Sequence, residues 1–296
     1  MRAERLSPYA RLPRAYHDLH PRHSTVDAFG RAHWLLTEHA EPSPPYDAVV
    51  VTVADGIVGT TGLGPVSARF PQLDSLPDGG FVVADARSRD GDDQVQVFDA
   101  LGRPSWAFRV GDAVEHLLTD EAGDLWIGYF DEGVFGDPLS APGARRWSST
   151  GTALWEYRPP PGVDHIADCY ALNVGRGGAW VYPYTAYTYA GFPLVEVLGD
   201  DSLRACTTEV EGARGVAVHE DRAAFLGGYR GNRDRLTLAR LTDTSVETVR
   251  TALLSRPDGA RLHRRRRVVS RGSRLYVQEE PYAEWFVFDV GASRAG

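Results

Sequence analysis

Six segments of this chain open in the same way. Each has a short apolar-alternating run, a polar turn with Asp, Gly or Arg, and then a strand-like run with a large aromatic or apolar residue. They start at His23 (HSTVDAFGRAHWLLTE), Phe70 (FPQLDSLPDGGFVVADA), Val114 (VEHLLTDEAGDLWIGYF), Asp164 (DHIADCYALNVGRGGAWVYPY), Ala213 (ARGVAVHEDRAAFLGGY) and His263 (HRRRRVVSRGSRLYVQEE). Successive starts lie 47, 44, 50, 49 and 50 residues apart. A period of about 40–50 residues with several short strands per unit is a propeller pattern.

Two further alternating runs follow the opening pair in each of the first five units, for example QVQVFDALG and PSWAFRVG in the second. Period-2 alternation broken by Gly, Asp and Pro reads as strands and hairpins. The expectation is an all-β, six-bladed β-propeller with four-stranded antiparallel blades in one domain, residues 1–296. Its blades start near residues 22, 69, 113, 164, 213 and 261. The last unit is one strand short, and residues 6–16 are expected to complete it, closing the ring with an N-terminal strand. Pro8 and Pro13 suit an edge strand. Trp126 and its counterparts Trp34, Val82, Trp180, Phe225 and Tyr276 are expected to pack the core.

The unit QLDSLPDGGFVVADARSRDGDDQVQVFDALGRPSWAFRVG resembles a blade of the NHL-type and gluconolactonase-like six-bladed propellers. The resemblance covers most of the chain in repeat length and blade pattern, and it implies a fold. Gluconolactonase-like enzymes hold a metal with acid and Asn ligands. This chain has only Asn173 and Asn232, so that ligand set does not map onto it residue by residue.

Composition removes several chemistries. All 32 basic residues are Arg, so no Schiff-base lysine and no phosphate-loop lysine exists. The net charge of −8 argues against nucleic-acid binding. No apolar window approaches a membrane span and the N-terminal segment has no apolar leader, so a cytoplasmic location is the default. Two cysteines, Cys169 and Cys206, make neither a disulfide framework nor a zinc motif. A lysine-free propeller also fits a bacterial enzyme, including one of secondary metabolism.

The starts of the inner strands converge at a propeller's axis, and here they carry polar residues. His116 and His165 are candidate general acid/base groups, with Asp168 or Glu115 to orient them. His23, Gln72, Arg214, Arg265 and Arg266 are candidate substrate contacts, together with Tyr184, Tyr187, Tyr229, Arg230 and Tyr282 from the loops. Four consecutive arginines, Arg264–Arg267, cannot all point outward from an inner strand, so partners such as Asp168, Glu115 or Glu279, or an anionic ligand, are expected. DEGVFG, residues 131–136, reads as a loop. If a divalent metal binds, Asp131, Glu132, His116 and Asp168 are its candidate ligands. No organic cofactor motif is present.

Three functions fit this reading. The first is a cofactor-independent enzyme performing proton transfer, elimination, isomerisation or hydrolysis on a small polar or anionic molecule. The alternatives are a protein-interaction scaffold using the same face, and a metal-dependent hydrolase or lyase.

Overall fold

A five-residue turn recurs between strands and sets much of the architecture. In Asp27–Arg31, Asp99–Arg103, Asp120–Asp124 and Ser148–Thr152, the first residue's N–H donates to the fifth residue's carbonyl, and the fourth residue, Gly, donates back to the first. The side chain of the first residue accepts the N–H groups of the third and fifth. The glycines take φ of 78°, 76°, 92° and 88°, a left-handed backbone that costs other L-residues about 1–2 kcal/mol. The pattern D-x-x-G, with Ser in place of Asp at Ser148, therefore works as a hairpin with a built-in bulge. Gly102 carries a second constraint, because a Cβ there would lie 1.8 Å from the Gly62 carbonyl oxygen. Gly56 has similar φ but open space around it. Gly102→Ala should lose about 2–4 kcal/mol and Gly56→Ala only about 1–2 kcal/mol, read as the shift in urea midpoint at constant slope.

The computed structural model describes residues 2–88, 91–186, 191–229 and 231–292. It is all-β, with one short helix and one 3-10 turn among the described residues. The chain divides into two compact units. One is Ala10–Tyr157; the other is Arg158–Gly296 with Met1–Tyr9. No helix among the described residues is long and apolar enough to cross a membrane.

The unit Ala10–Tyr157 holds three four-stranded antiparallel sheets. We number strands in chain order, β1 and β2 being at the N-terminus. The first sheet is β3 (His20–Val26), β4 (Ala32–Thr37), β5 (Tyr46–Ala54) and β6 (Ile57–Val66). The second is β7 (Pro71–Ser75), β8 (Phe81–Asp85), β9 (Val95–Phe98) and β10 (Pro104–Phe108). The third is β11 (Val114–Thr119), β12 (Leu125–Tyr129), β13 (Ala144–Trp147) and β14 (Ala153–Glu156). Within each, neighbours in sequence are neighbours in space.

The second unit repeats the plan. β15 (Ile166–Gly175), β16 (Gly178–Thr185), β17 (Leu194–Leu198) and β18 (Leu203–Cys206) form one meander; β19 (Ala213–His219), β20 (Arg222–Gly227), β21 (Arg235–Leu241) and β22 (Val246–Ser255) form another. β23 (Arg266–Arg271), β24 (Arg274–Glu279) and β25 (Glu284–Asp289) form the third. β2 (Ser7–Arg11) lies beside β25, and β1 (Arg2–Arg5) runs parallel to β22. A single bridge, Asn173 to Ser270, joins β15 to β23 and makes one eight-stranded sheet of two meanders.

Trp34, Val82, Trp126, Phe225 and Tyr276 are buried as expected of core positions, while Trp180 is half-buried beneath the Arg204 guanidinium. Residues 131–136 correct the loop expectation. They form a short helix, α1 (Asp131–Gly136), in which Phe130 O accepts the N–H groups of Gly133 and Val134. Val134 packs into the core, and Gly133 permits it, because a Cβ there would sit 2.3 Å from Asp112 O. Two acids in the first turn suit the positive end of the helix.

Polar ties join neighbouring inner strands within each unit. Fully buried Asn173 on β15 donates to Val216 O (2.7 Å) and Gly272 O (2.8 Å) and accepts from Gly272 N–H (2.7 Å). In the first unit, buried Asp27 accepts from Ser75 Oγ (2.6 Å) and Arg31 Nε (2.6 Å) and lies 2.8 Å from His33 Nε2. Thr52 Oγ1 meets the other His33 nitrogen at 2.9 Å.

Candidate ligand-recognition site

Bulges recur near the starts of the inner strands. The β3–β4 register slips between Pro21 and His23, β11–β12 between Val114 and His116, and β19–β20 between Ala213 and Gly215. The extra residues are Arg22, Glu115 and Arg214. β15 slips twice, the second time between Cys169 and Ala171, opposite Pro183, so the extra residue is Tyr170. Pro183 has no N–H to offer the ladder. A bulge re-aims its side chain out of the pleat alternation.

In the second unit two such residues meet. The Arg214 guanidinium lies over the Tyr170 ring, 4.0 Å from its centroid. The Tyr170 and Tyr229 hydroxyls are 2.7 Å apart. Phe192 packs edge-on against Tyr170 (5.0 Å) and Tyr229 (5.7 Å), and its other neighbours are Tyr184 (5.2 Å) and Tyr182 (5.4 Å). Buried Tyr182 and Phe192 make the floor, while Tyr184 and Tyr229 keep 37% and 43% of their surface exposed.

The local sequence builds this cluster. Gly227 and Gly228 turn the chain out of β20 with φ of 111° and 156°, delivering Tyr229. Asn232 then anchors the Tyr229 carbonyl through its backbone N–H (3.3 Å) and its side-chain amide (2.9 Å). Gly212 (φ 70°) leaves room for the Tyr229 ring, which a Cβ would approach to 2.9 Å.

Burial and the Tyr170 hydroxyl push the Tyr229 phenol well above its ordinary range, although Arg214 pulls the other way. Tyr229 is therefore a neutral hydroxyl in solution near pH 7, a hydrogen-bond donor and acceptor rather than a base. A flat apolar floor, exposed phenol rims and a guanidinium held face-on to a ring are recognition chemistry.

Beside this cluster, β23 carries the arginine run, and here the structure corrects the sequence. The strand begins only at Arg266, so His263, Arg264 and Arg265 precede it and are exposed. Two of the arginines have partners other than Asp168, Glu115 or Glu279. Arg265 pairs with Glu280 (3.3 Å), and Arg266 pairs with Asp234 (2.5 Å) and donates to Arg233 O. Glu279 instead accepts the His263 N–H and lies 3.8 Å from Arg256. Arg267 lies over the Tyr282 ring at 4.4 Å. Burial pushes the Arg267 guanidinium down to about 10, against an opposing pull from Tyr282.

The remaining candidates divide between the units. Asp168 is half-buried on β15, two residues before Tyr170, and His165 precedes that strand and is exposed. In the other unit His23 and Gln72 act as strand ties. His23 Nδ1 accepts the Leu73 N–H (3.1 Å), and Gln72 Nε2 donates to Val114 O (3.4 Å) and Glu115 O (3.3 Å). Glu115 and His116 are half-buried at the β11 bulge. Glu132 pairs with Arg87 at 2.6 Å, and Asp131 Oδ1 accepts the Glu132 N–H. Among the described residues no three His, Cys, Asp or Glu side chains gather as a metal group. Tyr187 and Arg230 lie outside the described residues.

Tyr170 and Phe192 were missed by the sequence reading. Alternation places Tyr170 on an ordinary inner strand, and the only signal for its bulge is the facing proline.

No family model matches the chain, and no curated protein matches it. Solved structures similar to it include PorZ, a surface component of the type-IX secretion system of Porphyromonas gingivalis, at 11% identity and a TM-score of 0.44. That match covers 93% of this chain but only 34% of PorZ, so the chain spans about a third of that protein. BamB from Moraxella catarrhalis matches at 11% identity and a TM-score of 0.47, covering 90% of this chain and 84% of BamB. The periplasmic gluconolactonase PpgL of Pseudomonas aeruginosa matches at 16% identity and a TM-score of 0.47, covering 80% of this chain and 71% of PpgL. Likenesses at this level decide neither the fold nor the activity of this chain.

Proposed function

We propose that this chain is a small-molecule-binding protein of six propeller-type blades, and that its ligand lies on the Tyr170, Tyr184, Phe192 and Tyr229 cluster under Arg214. The repeated four-stranded meanders support the blade reading. The observation that carries the site is the Arg214–Tyr170 stack with its paired phenols, formed by two bulge residues from neighbouring inner strands. The ligand has a flat ring or ring-like apolar face. Burial holds the Tyr229 phenol neutral near pH 7, so recognition is the chemistry the cluster performs best. Any proton transfer falls to a carboxylate or histidine beside it, and Asp168 is the candidate on the same strand.

The exposure of Tyr184 and Tyr229 favours a second reading, in which the same rings anchor a side chain of a protein partner. Ligand-observed NMR with phenol and benzoate tests the first. Tyr229→Ala should weaken binding of both probes by about tenfold or more, the usual worth of one stacking ring. Unchanged binding of both probes in Tyr229→Ala and Tyr184→Ala would remove the small-molecule reading.

A further inference from the structure

The unit Ala10–Tyr157 carries a polar row that lies outside the aromatic cluster. Its pairing register sets Thr25, His33, Thr52 and Gly59 opposite one another across β3, β4, β5 and β6. Directly paired residues of antiparallel strands share one face of a sheet. The row therefore runs along one face from the inner strand to the outer one. Asp27, in the turn after β3, lies 2.8 Å from His33 Nε2. On the other side of the imidazole, Thr52 Oγ1 lies 2.9 Å from His33 Nδ1.

The carboxylate sets the hydrogen-bond roles along the row. Burial raises the proton affinity of Asp27, but His33, Ser75 and Arg31 hold it well below the usual carboxylate range, so it only accepts. His33 Nε2 must then carry a hydrogen. In the neutral ring Nδ1 is the lone-pair nitrogen, and the Thr52 hydroxyl donates to it. Phe81 meets the imidazole edge-on at 5.6 Å and fixes its plane. Carboxylate, imidazole and hydroxyl in this order are the parts of an activated hydroxyl, an arrangement defined by geometry and not by chain order.

Exposure rises along the same row. Asp27 and His33 each keep 1% of their surface exposed, Thr52 is half-buried and Gly59 is exposed. A Cβ at Gly59 would meet nothing within 4 Å, so the face beside Thr52 opens at the outer strand.

We propose that Thr52 is a nucleophile that accepts an acyl group from an activated ester or thioester, with His33 as its base. Thr52 Oγ1 bonds to the acyl carbon, and its proton passes to His33 Nδ1. The bond from that carbon to the leaving oxygen or sulfur breaks, and the leaving group takes the proton from the imidazolium. The products are a Thr52 ester and a free alcohol or thiol.

The test exposes the full chain to p-nitrophenyl acetate. It is read as p-nitrophenolate release and as the position of the acetyl group by peptide mass spectrometry. The chain has no lysine, so the usual background site of acylation is absent. Thr60, exposed on β6, is the internal reference. Thr52 should acetylate about a hundredfold or more faster than Thr60, the usual worth of a positioned base. Thr52→Ser should keep the reaction at that position and Thr52→Val should lose it. His33→Gln can still present an N–H to Asp27 but has no base, and it should slow the reaction at Thr52 about a hundredfold.

Two results would overturn the proposal. The first is acetylation of Thr52 no faster than that of Thr60, with equal p-nitrophenolate release from the parent and Thr52→Val. The second is an unchanged rate at Thr52 in folded His33→Gln. The Thr52-to-Thr60 comparison is made in the parent chain, so it decides the matter even where His33→Gln does not fold.

Discussion

Asn173→Ala is expected to unfold the unit Arg158–Gly296 at a urea concentration well below that of the parent chain, with a loss of about 3–5 kcal/mol. The side chain is fully buried and uses both amide hydrogens and its oxygen on the backbones of two other inner strands. Truncation leaves the Val216 carbonyl and the Gly272 N–H without that partner. Orphaning a buried polar group costs about 1–3 kcal/mol, and a small void adds to it. Gly272 O fares better, because Val218 N–H also donates to it. Asn173→Asp is a sharper probe. It keeps the acceptor for Gly272 N–H but brings an oxygen against two carbonyl oxygens that now receive N–H donors at 2.7 and 2.8 Å. It should destabilise at least as much as alanine at pH 7 and recover in part in acid, when the carboxyl regains one hydrogen to donate. Urea titrations of parent and variants read both effects. Loss of hydrogen-exchange protection at Val216 and Gly272 would localise them. A loss below about 1 kcal/mol in Asn173→Ala would show that the three strands hold without this tie.

The second large effect belongs to Asp27. Its carboxylate receives five hydrogen-bonding contacts: the Phe29 and Arg31 N–H groups, Arg31 Nε, His33 Nε2 and Ser75 Oγ. Burial alone would raise its proton affinity. The hydrogen bond and charge of His33, with Ser75 and Arg31, more than offset this and hold the carboxyl well below the usual carboxylate range. A carboxyl that is more acidic folded than unfolded favours the folded state when ionised. That contribution is complete above about pH 4, where the unfolded chain's carboxyl is also ionised, and it is lost as pH falls through the lower folded value. Asp27→Ala should lose about 3–5 kcal/mol at pH 7, because Arg31 and His33 remain without their shared acceptor. The difference between parent and variant should shrink below pH 4. A urea series from pH 7 to pH 3 measures this, and a difference that stays constant across that range would contradict it.

The two sites show why the fold was more legible than the chemistry. The β5, β6, β9 and β10 strands stand where alternation placed them, because pleat alternation and the turns that end it are local properties of the sequence. The D-x-x-G turns were equally local and could have been read directly: Asp27, Asp99 and Asp120 each sit three residues before a glycine with positive φ. The ties were not legible. Asn173 and Gly272 are 99 residues apart, and Asp27 and Ser75 are 48 apart, so nothing near either residue announces its partner. His23 and Gln72 have the composition of ligand contacts, and His23 Nδ1 and Gln72 Nε2 also tie neighbouring strands. The arginine run misled because four like residues give no alternation, and the strand start at Arg266 depends on pairing with Glu279. Arg214, Tyr184 and Tyr229, candidates from the sequence, fall in one aromatic cluster. Their meeting point, Tyr170, needed the bulge.

The N-terminal strands bear on the order in which this chain can be completed. Glu4 O accepts from Ser255 Oγ and the Glu4 carboxylate meets Arg250 at 2.8 Å, across a separation of 251 residues in the first case. Residues 2–11 leave the ribosome before the outer strands β22 and β25 that receive them have been translated. Until then the segment has no sheet edge of its own to join, and each receiving meander carries an open edge after synthesis. Docking of β1 and β2 thus waits for β22 and β25 and carries the high entropic demand of a very long loop. A nascent chain stalled before residue 246 would leave β1 and β2 unpaired, open to proteases and to foreign sheet edges, however well the meanders between had already folded.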